Sequence, residues 1–359
     1  GTVKFPDGDV LNSHIEDVGG NKRANTNKER TFYLGKIPHE HKERLIEVLS
    51  EVVQNPILSE DRVLTEKGSI LREMEIRDDT MVRSLYNMTS EFVFKNHPLS
   101  HDTLGTIDSV SSFTRNDFVK FREKFYNPAN YTLIFAGRIN ENEARELAEK
   151  YFPLNIAGKR NIREEVPFID NTERKYVIPR KTNQLYFSLA VPFINRKDDR
   201  LVKAIELFSV MISGGGSFPL SQELREKRGL CYSLGSEILK MSDFELFRVY
   251  GGVDPTQYKK AKDIILEIID KNKNNSALLE KAKHYKLGRW KLAYENTEQI
   301  LENAVEQIIA YGKPLDYSEL EKGVNEITIG DIEEAVNTYL SPNNIREVTI
   351  VPEGTSVNI

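Results

Sequence analysis

Glu66 and Glu73 lie seven apart in the run Glu66-Lys67-Gly68-Ser69-Ile70-Leu71-Arg72-Glu73. Seven residues are close to two turns of an α-helix, so both carboxylates fall on one face. Such a pair fits a metal site, one as ligand and one supporting it from behind. It equally fits a solvated, charged helix. A second set is Arg225 and Tyr232, within Leu224-Arg225-Glu226-Lys227-Arg228-Gly229-Leu230-Cys231-Tyr232. Arginine offers a fixed donor fork and tyrosine an O–H, both suited to a peptide carbonyl or a developing oxyanion. A helix delivering both to one site is one reading, and a structural segment is the other. The preceding Gly214-Gly215-Gly216 is not a phosphate loop, because G-x-x-x-x-G-K-[ST] is absent. Cys231, between Leu230 and Tyr232, reads as a buried apolar thiol. His97 and His101 have helical ligand spacing, but Pro98 between them points to a loop. His39-Glu40-His41 reads as a solvated helix start. Neither H-E-x-x-H nor H-x-x-E-H occurs.

The elements that must position these residues follow from periodicity. Helices are expected over 41–53, 60–78, 80–94, from Thr114 onward, and over 201–212, 258–271 and 277–311. Asn55-Pro56, His97-Pro98 and Asn127-Pro128 are their stops. Strands are expected over 31–37, 131–136 (buried), 175–178, 184–191 and 244–251. The chain of 359 residues is long for one domain, and two are the natural expectation. A net charge of -5 argues against a general nucleic-acid binder. One cysteine excludes an intramolecular disulfide and a cysteine-rich zinc module. No apolar run is long enough for a membrane span.

A repeat runs through the chain at an offset of 214: Thr114, Asp117 and Pro128 match Thr328, Asp331 and Pro342. In both copies the unit runs capped helix, Pro-Asn turn, strand. At the same offset Glu66 and Glu73 meet Glu280 and Leu287, so one copy keeps both carboxylates. The second copy opens strand–strand–helix near residue 173. Its counterpart in the first copy would need roughly 50 residues more than lie before Thr31. The expected organisation is a first domain over 1–155, a linker over 156–172, and a second, homologous domain over 173–359.

In this order and spacing the motifs resemble the inverted-zincin metallopeptidases of the pitrilysin/insulinase group. The bacterial branch similar to mitochondrial processing peptidase is the nearest likeness. The resemblance rests on Gly19-Gly20…Ala24-Asn25-Thr26…Thr31-Phe32-Tyr33, Glu66…Ile70-Leu71-Arg72-Glu73, His97-Pro98-Leu99…Gly105-Thr106, Tyr126-Asn127-Pro128-Ala129-Asn130 and Leu224 to Tyr232. It implies an α+β fold of two homologous domains, each a mixed, largely antiparallel sheet packed with helices, the first N-terminally incomplete. It makes Glu73 the third zinc ligand and Glu66 its support. Arg225 and Tyr232 would bind substrate and steady the tetrahedral intermediate. The strand carrying Arg23, Ala24, Asn25 and Thr26 would accept substrate as an added strand. Arg23 stands where the family has Asn, a departure that puts the usual groove in question.

The family motif H-x-x-E-H has no counterpart in this chain, which opens as if just after it. Zinc is therefore expected in the complete protein and not in this chain alone. The implied function is zinc-dependent endoproteolysis of peptides or unfolded segments, by a homodimer or a heterodimer with a related subunit. A bacterial cytoplasmic setting is expected, with export left open. The alternative is a non-catalytic partner or structural subunit of the same family.

Overall fold

A computed structural model describes residues 1–78, 80–152, 160–161, 163–166, 173–194 and 199–355. The linker expected over 156–172 lies largely outside these residues. Packing groups the chain into two units: residues 1–75, 102–164 and 296–308 form one, and 76–101, 165–295 and 309–359 the other. This grouping is a different division from one based on the repeat.

In the first unit α1 (Gly8–Glu16) buries Leu11 and Ile15. It ends in a Schellman turn: Gly19 N–H donates to Glu16 and Gly20 N–H to Ile15. Gly19 has φ +78, a conformation that favours glycine. That turn launches β1 (Asn21–Thr26), which pairs antiparallel with β2 (Thr31–Lys36) in a two-stranded sheet. α2 (Lys42–Gln54) packs Val48 with Phe5, Leu11 and Ile15 on one side. Its Ile46 and Val53 pack with Phe152 on another. α3 (Glu60–Asp78) follows, burying Val63 and Met74.

α4 (Met81–Val93) belongs to the second unit, and α5 (Ile107–Ser112), α6 (Arg115–Phe125) and α7 (Glu141–Tyr151) to the first. Residues 131–136, expected as a buried strand, are half-buried on average and form no strand. Their apolar residues Leu133 and Phe135 pack beside Ile46, Val53 and Phe152, as the pattern implied. A strand also needs a neighbour's backbone, and none pairs with this stretch among the described residues.

The second unit is built on β3 (Lys175–Arg180), β4 (Leu185–Ile194), α8 (Asp199–Ser213), β5 (Cys231–Lys240) and β6 (Phe244–Val253). After these come α9 (Tyr258–Asn272), α10 (Ser276–Ala293), α12 (Tyr317–Asn325), α13 (Ile329–Tyr339) and β7 (Arg346–Pro352), while residues 297–308 of the intervening α11 (Thr297–Tyr311) belong to the first unit. The sheet order is β3-β7-β4-β6-β5, antiparallel except for β3 beside β7. Side chains alternate along β4 as strand geometry requires. Phe187, Leu189, Val191 and Phe193 join the core that contains Ile205, Phe208, Leu287 and Ile332 from α8, α10 and α13. On the opposite face Leu85 and Phe92 of α4 pack on Val348 and Ile350 of β7. Each such fully buried side chain contributes about 1.5–3 kcal/mol. The single helix expected over 277–311 is two, α10 and α11, divided at residues 294–296.

The repeat is visible as geometry. Thr114 N–H donates to Asp117 Oδ2 at 2.8 Å, and Thr328 N–H to Asp331 Oδ2 at 2.7 Å. Asn130 Nδ2 donates to the Phe125 carbonyl at 2.9 Å, and Asn344 Nδ2 to the Tyr339 carbonyl at 3.0 Å. The same cap and the same turn lock thus recur 214 residues apart.

One charge cluster sits among α8, α10 and β5. Glu206, its side chain 14% exposed, pairs with Lys240 and with Lys286 Nζ, the latter at 3.2 Å. Burial pushes the Glu206 carboxyl up, but the two ammonium groups outweigh it and hold the group at about 2. A carboxyl depressed by folding stabilises the fold above its unfolded pKa, and that contribution is lost as pH falls through the folded value. Trp290, the chain's only tryptophan, lies in the same core with Lys286 Nζ 5.3 Å from its ring. Urea unfolding followed by Trp290 fluorescence should show Glu206→Gln less stable at pH 7 by on the order of 2–3 kcal/mol. The difference from wild type should close between about pH 4.5 and pH 2. A difference that is independent of pH would refute the electrostatic assignment.

Candidate functional site

α3 presents Glu66 and Glu73 beside its buried stripe. Both are exposed, and neither has a hydrogen bond or ion pair among the described residues. Their neighbour Lys67 donates to the carbonyls of Ser111 (2.6 Å) and Phe113 (2.9 Å). That tie fixes the helix's rotation, so the carboxylates keep one side. The repeat supplies the control. α10 occupies the place of α3 in the second copy, and there Glu280 pairs with Lys283 at 3.1 Å while Leu287 is buried in the core. One position is therefore a core leucine in one copy and an unpartnered carboxylate in the other.

An unneutralised carboxylate is a fitting oxygen donor for a cation. A catalytic zinc takes three protein ligands and a water. Among the described residues no three His, Cys, Asp or Glu side chains come together as a metal group. Glu73 and Glu66 therefore fall short of a zinc site by themselves. His97 is not a ligand candidate: it is buried, and its Nδ1 accepts from Leu99 N–H at 3.2 Å. It caps the turn Pro98–Ser100.

Arg225 and Tyr232 do not share a helix, contrary to one sequence reading. Arg225 lies on a π-helical turn (Ser221–Glu226), and Tyr232 is the second residue of β5. Lys227 N–H donates to the Gln222 carbonyl, the wide spacing that marks this turn. Leu230 N–H reaches back to the Leu224 carbonyl at 2.7 Å. Leu224 and Cys231 point inward and are buried, which leaves Arg225 and Tyr232 outside. Tyr232 is 86% exposed. Arg225 has one carboxylate nearby, Glu226 at 3.6 Å. Both donors are open to a ligand. Burial pushes the Cys231 thiol up to about 11, so it is a core group and not a nucleophile. The glycine run serves packing: a Cβ on Gly214 would lie 2.9 Å from both the Phe218 ring and the Val210 carbonyl.

Arg23, Ala24, Asn25 and Thr26 are all exposed on β1. One edge of β1 is paired with β2, and the other has no strand beside it among the described residues. Arg23 is not a free cation in this strand. Its Nη2 contacts Glu298 Oε1 at 2.6 Å and Glu302 Oε1 at 2.5 Å, both on α11 and within the same unit. This pairing spans 279 residues and left no trace in local spacing.

Residues 1–107 match the family model described as Insulinase (Peptidase family M16), and residues 112–285 match the Peptidase M16 inactive domain. An uncharacterized zinc protease of Rickettsia felis is 26% identical over 348 residues, covering 92% of this chain and 82% of the relative. Another, from Streptomyces coelicolor, is 26% identical over 346 residues, covering 92% and 74%. In three dimensions the chain is similar to a peptidase M16 inactive domain from Pseudomonas fluorescens. The TM-score is 0.86 at 20% identity, over 98% of this chain and 85% of that one. That likeness is one of fold, a mixed helix-and-sheet architecture of two family-type domains. Among the described residues no helix is long and apolar enough to cross a membrane. With both family models in sequence order along most of its length, the chain belongs to the insulinase family of peptidases, M16.

Proposed function

We propose that the protein is a zinc-dependent endopeptidase of the insulinase and processing-peptidase type, acting on peptides or unfolded segments. The observation that carries the reading is the pair Glu66 and Glu73, charged and unpartnered where the second copy has a salt-bridged Glu280 and a buried Leu287. A scaffold gains nothing from leaving a bare carboxylate where the second copy packs a leucine. In this reading Glu73 is a metal ligand and Glu66 orients it. Bound zinc would supply a water of lowered pKa and a Lewis acid for the scissile carbonyl. β1 takes the substrate as an added strand, through backbone bonds that make little demand on sequence. Arg225 and Tyr232 donate to the substrate carbonyl and its tetrahedral intermediate. A second copy or a related subunit, and a cytoplasmic setting, belong to the same reading.

Two measurements on the intact gene product test it. Glu73→Gln should lower zinc content, read by elemental analysis, and abolish cleavage of an unstructured peptide. Glu66→Gln should weaken zinc binding about 10–100-fold. Unchanged zinc in Glu73→Gln would refute the ligand role. Absence of zinc and cleavage in the wild type would favour a non-catalytic partner subunit instead.

Tyr232→Phe removes one donor and keeps the ring. It should lower kcat about 100-fold, with zinc content unchanged. Wild-type kcat in Tyr232→Phe would remove Tyr232 from the mechanism.

A further inference from the structure

The β1–β2 hairpin and α11 meet through a set of charges that the reaction does not use. Glu298, Glu302 and Glu306 recur at every fourth residue of α11, which stacks three carboxylates on one helix face. Like charges at this spacing disfavour a helix on its own. The hairpin relieves them: Arg23 Nη2 bridges Glu298 Oε1 (2.6 Å) and Glu302 Oε1 (2.5 Å), and Arg30 Nη2 donates to Glu306 Oε1 at 2.7 Å. The Arg30 guanidinium also lies 5.6 Å from the Phe32 ring, which aims it. All these residues belong to the first unit. A single exposed ion pair contributes little, but two guanidinium forks on three stacked carboxylates act together.

We propose that this network is an ionic latch, in which Arg23 is a positioning residue that holds β1 against α11 in the posture that receives a peptide strand. The part of the proposal that concerns the peptide rests on the reading of β1 as substrate strand. The latch itself rests on the network alone. Arg23 touches no reacting group, so its effect belongs in binding.

The test uses the intact gene product and three variants: Arg23→Glu, Glu298→Arg with Glu302→Arg, and all three together. Amide hydrogen exchange is read over 21–26 and 297–308, with KM and kcat for an unstructured peptide. Arg23→Glu should speed exchange in both segments about 10-fold, as local opening becomes easier. It should raise KM about 5-fold while kcat changes less than about 2-fold, because uniform binding is what is lost. The charge-swapped triple variant should restore both readouts. In wild type, 0.5 M NaCl should mimic the Arg23→Glu exchange pattern, roughly as screening predicts. Exchange that ignores Arg23→Glu, or a swap that fails to rescue it, overturns the latch. Rescued exchange with an unmoved KM overturns the positioning role. Zinc content, which none of these variants should alter, reports separately on the proposed function.

Discussion

An ionised carboxylate on a packed helix needs either water or a cation, and a leucine at the same place needs burial. The two copies of this domain divide on that constraint. Leu287 of α10 is buried in the core that also holds residues of α8 and α13. Glu73 of α3 stays in solvent, with Glu66 two turns away on the same side. Much of the architecture can be read outward from this contrast. In the second copy the helix is a structural member of a five-stranded sheet's cover. In the first it is held at its rotation by Lys67 and presents carboxylates with no internal partner.

The same division of labour recurs elsewhere in the second unit. Where charge is buried there, it is matched: Glu206 by Lys240 and Lys286, and Glu347 by Tyr258 and Lys262. Arg248 pairs with Glu237 between the rings of Tyr86 and Tyr250. These groups are stabilising members of a core. Arg225 and Tyr232 stand apart from them because Leu224 and Cys231 anchor the segment and turn its polar residues outward. A π-helical turn at this point fits a segment shaped for side-chain placement over regular packing.

Much of this was legible in residue order, and the reason is locality. The repeat could be read because its markers, a Thr-Asp cap and a Pro-Asn turn, are made by residues three to five apart. Residues 131–136 have the composition of a strand without being one, because apolar, β-branched composition describes a strand's burial and not its neighbour. The run Leu224 to Tyr232 leaves a helix open as one reading, because the turn closed by Leu230 and Leu224 lies inside a run of charges at helical spacing. From residue order alone Arg23 reads as a bulky cation in a groove. Its neutralisation by Glu298 and Glu302 depends on partners 275 and more residues away, which no local pattern reveals.

In the proposed mechanism Glu73 is kept for a metal and contributes nothing to packing. The most direct test is the thermal midpoint of the intact gene product with chelator and with added zinc, for wild type and for Glu73→Leu. A ligand that binds only the folded state raises its stability. If Glu73 is a ligand, zinc raises the wild-type midpoint and leaves Glu73→Leu unmoved, and the two proteins melt together in chelator or the variant later. An equal rise with zinc in both, or an early-melting variant in chelator, would contradict it.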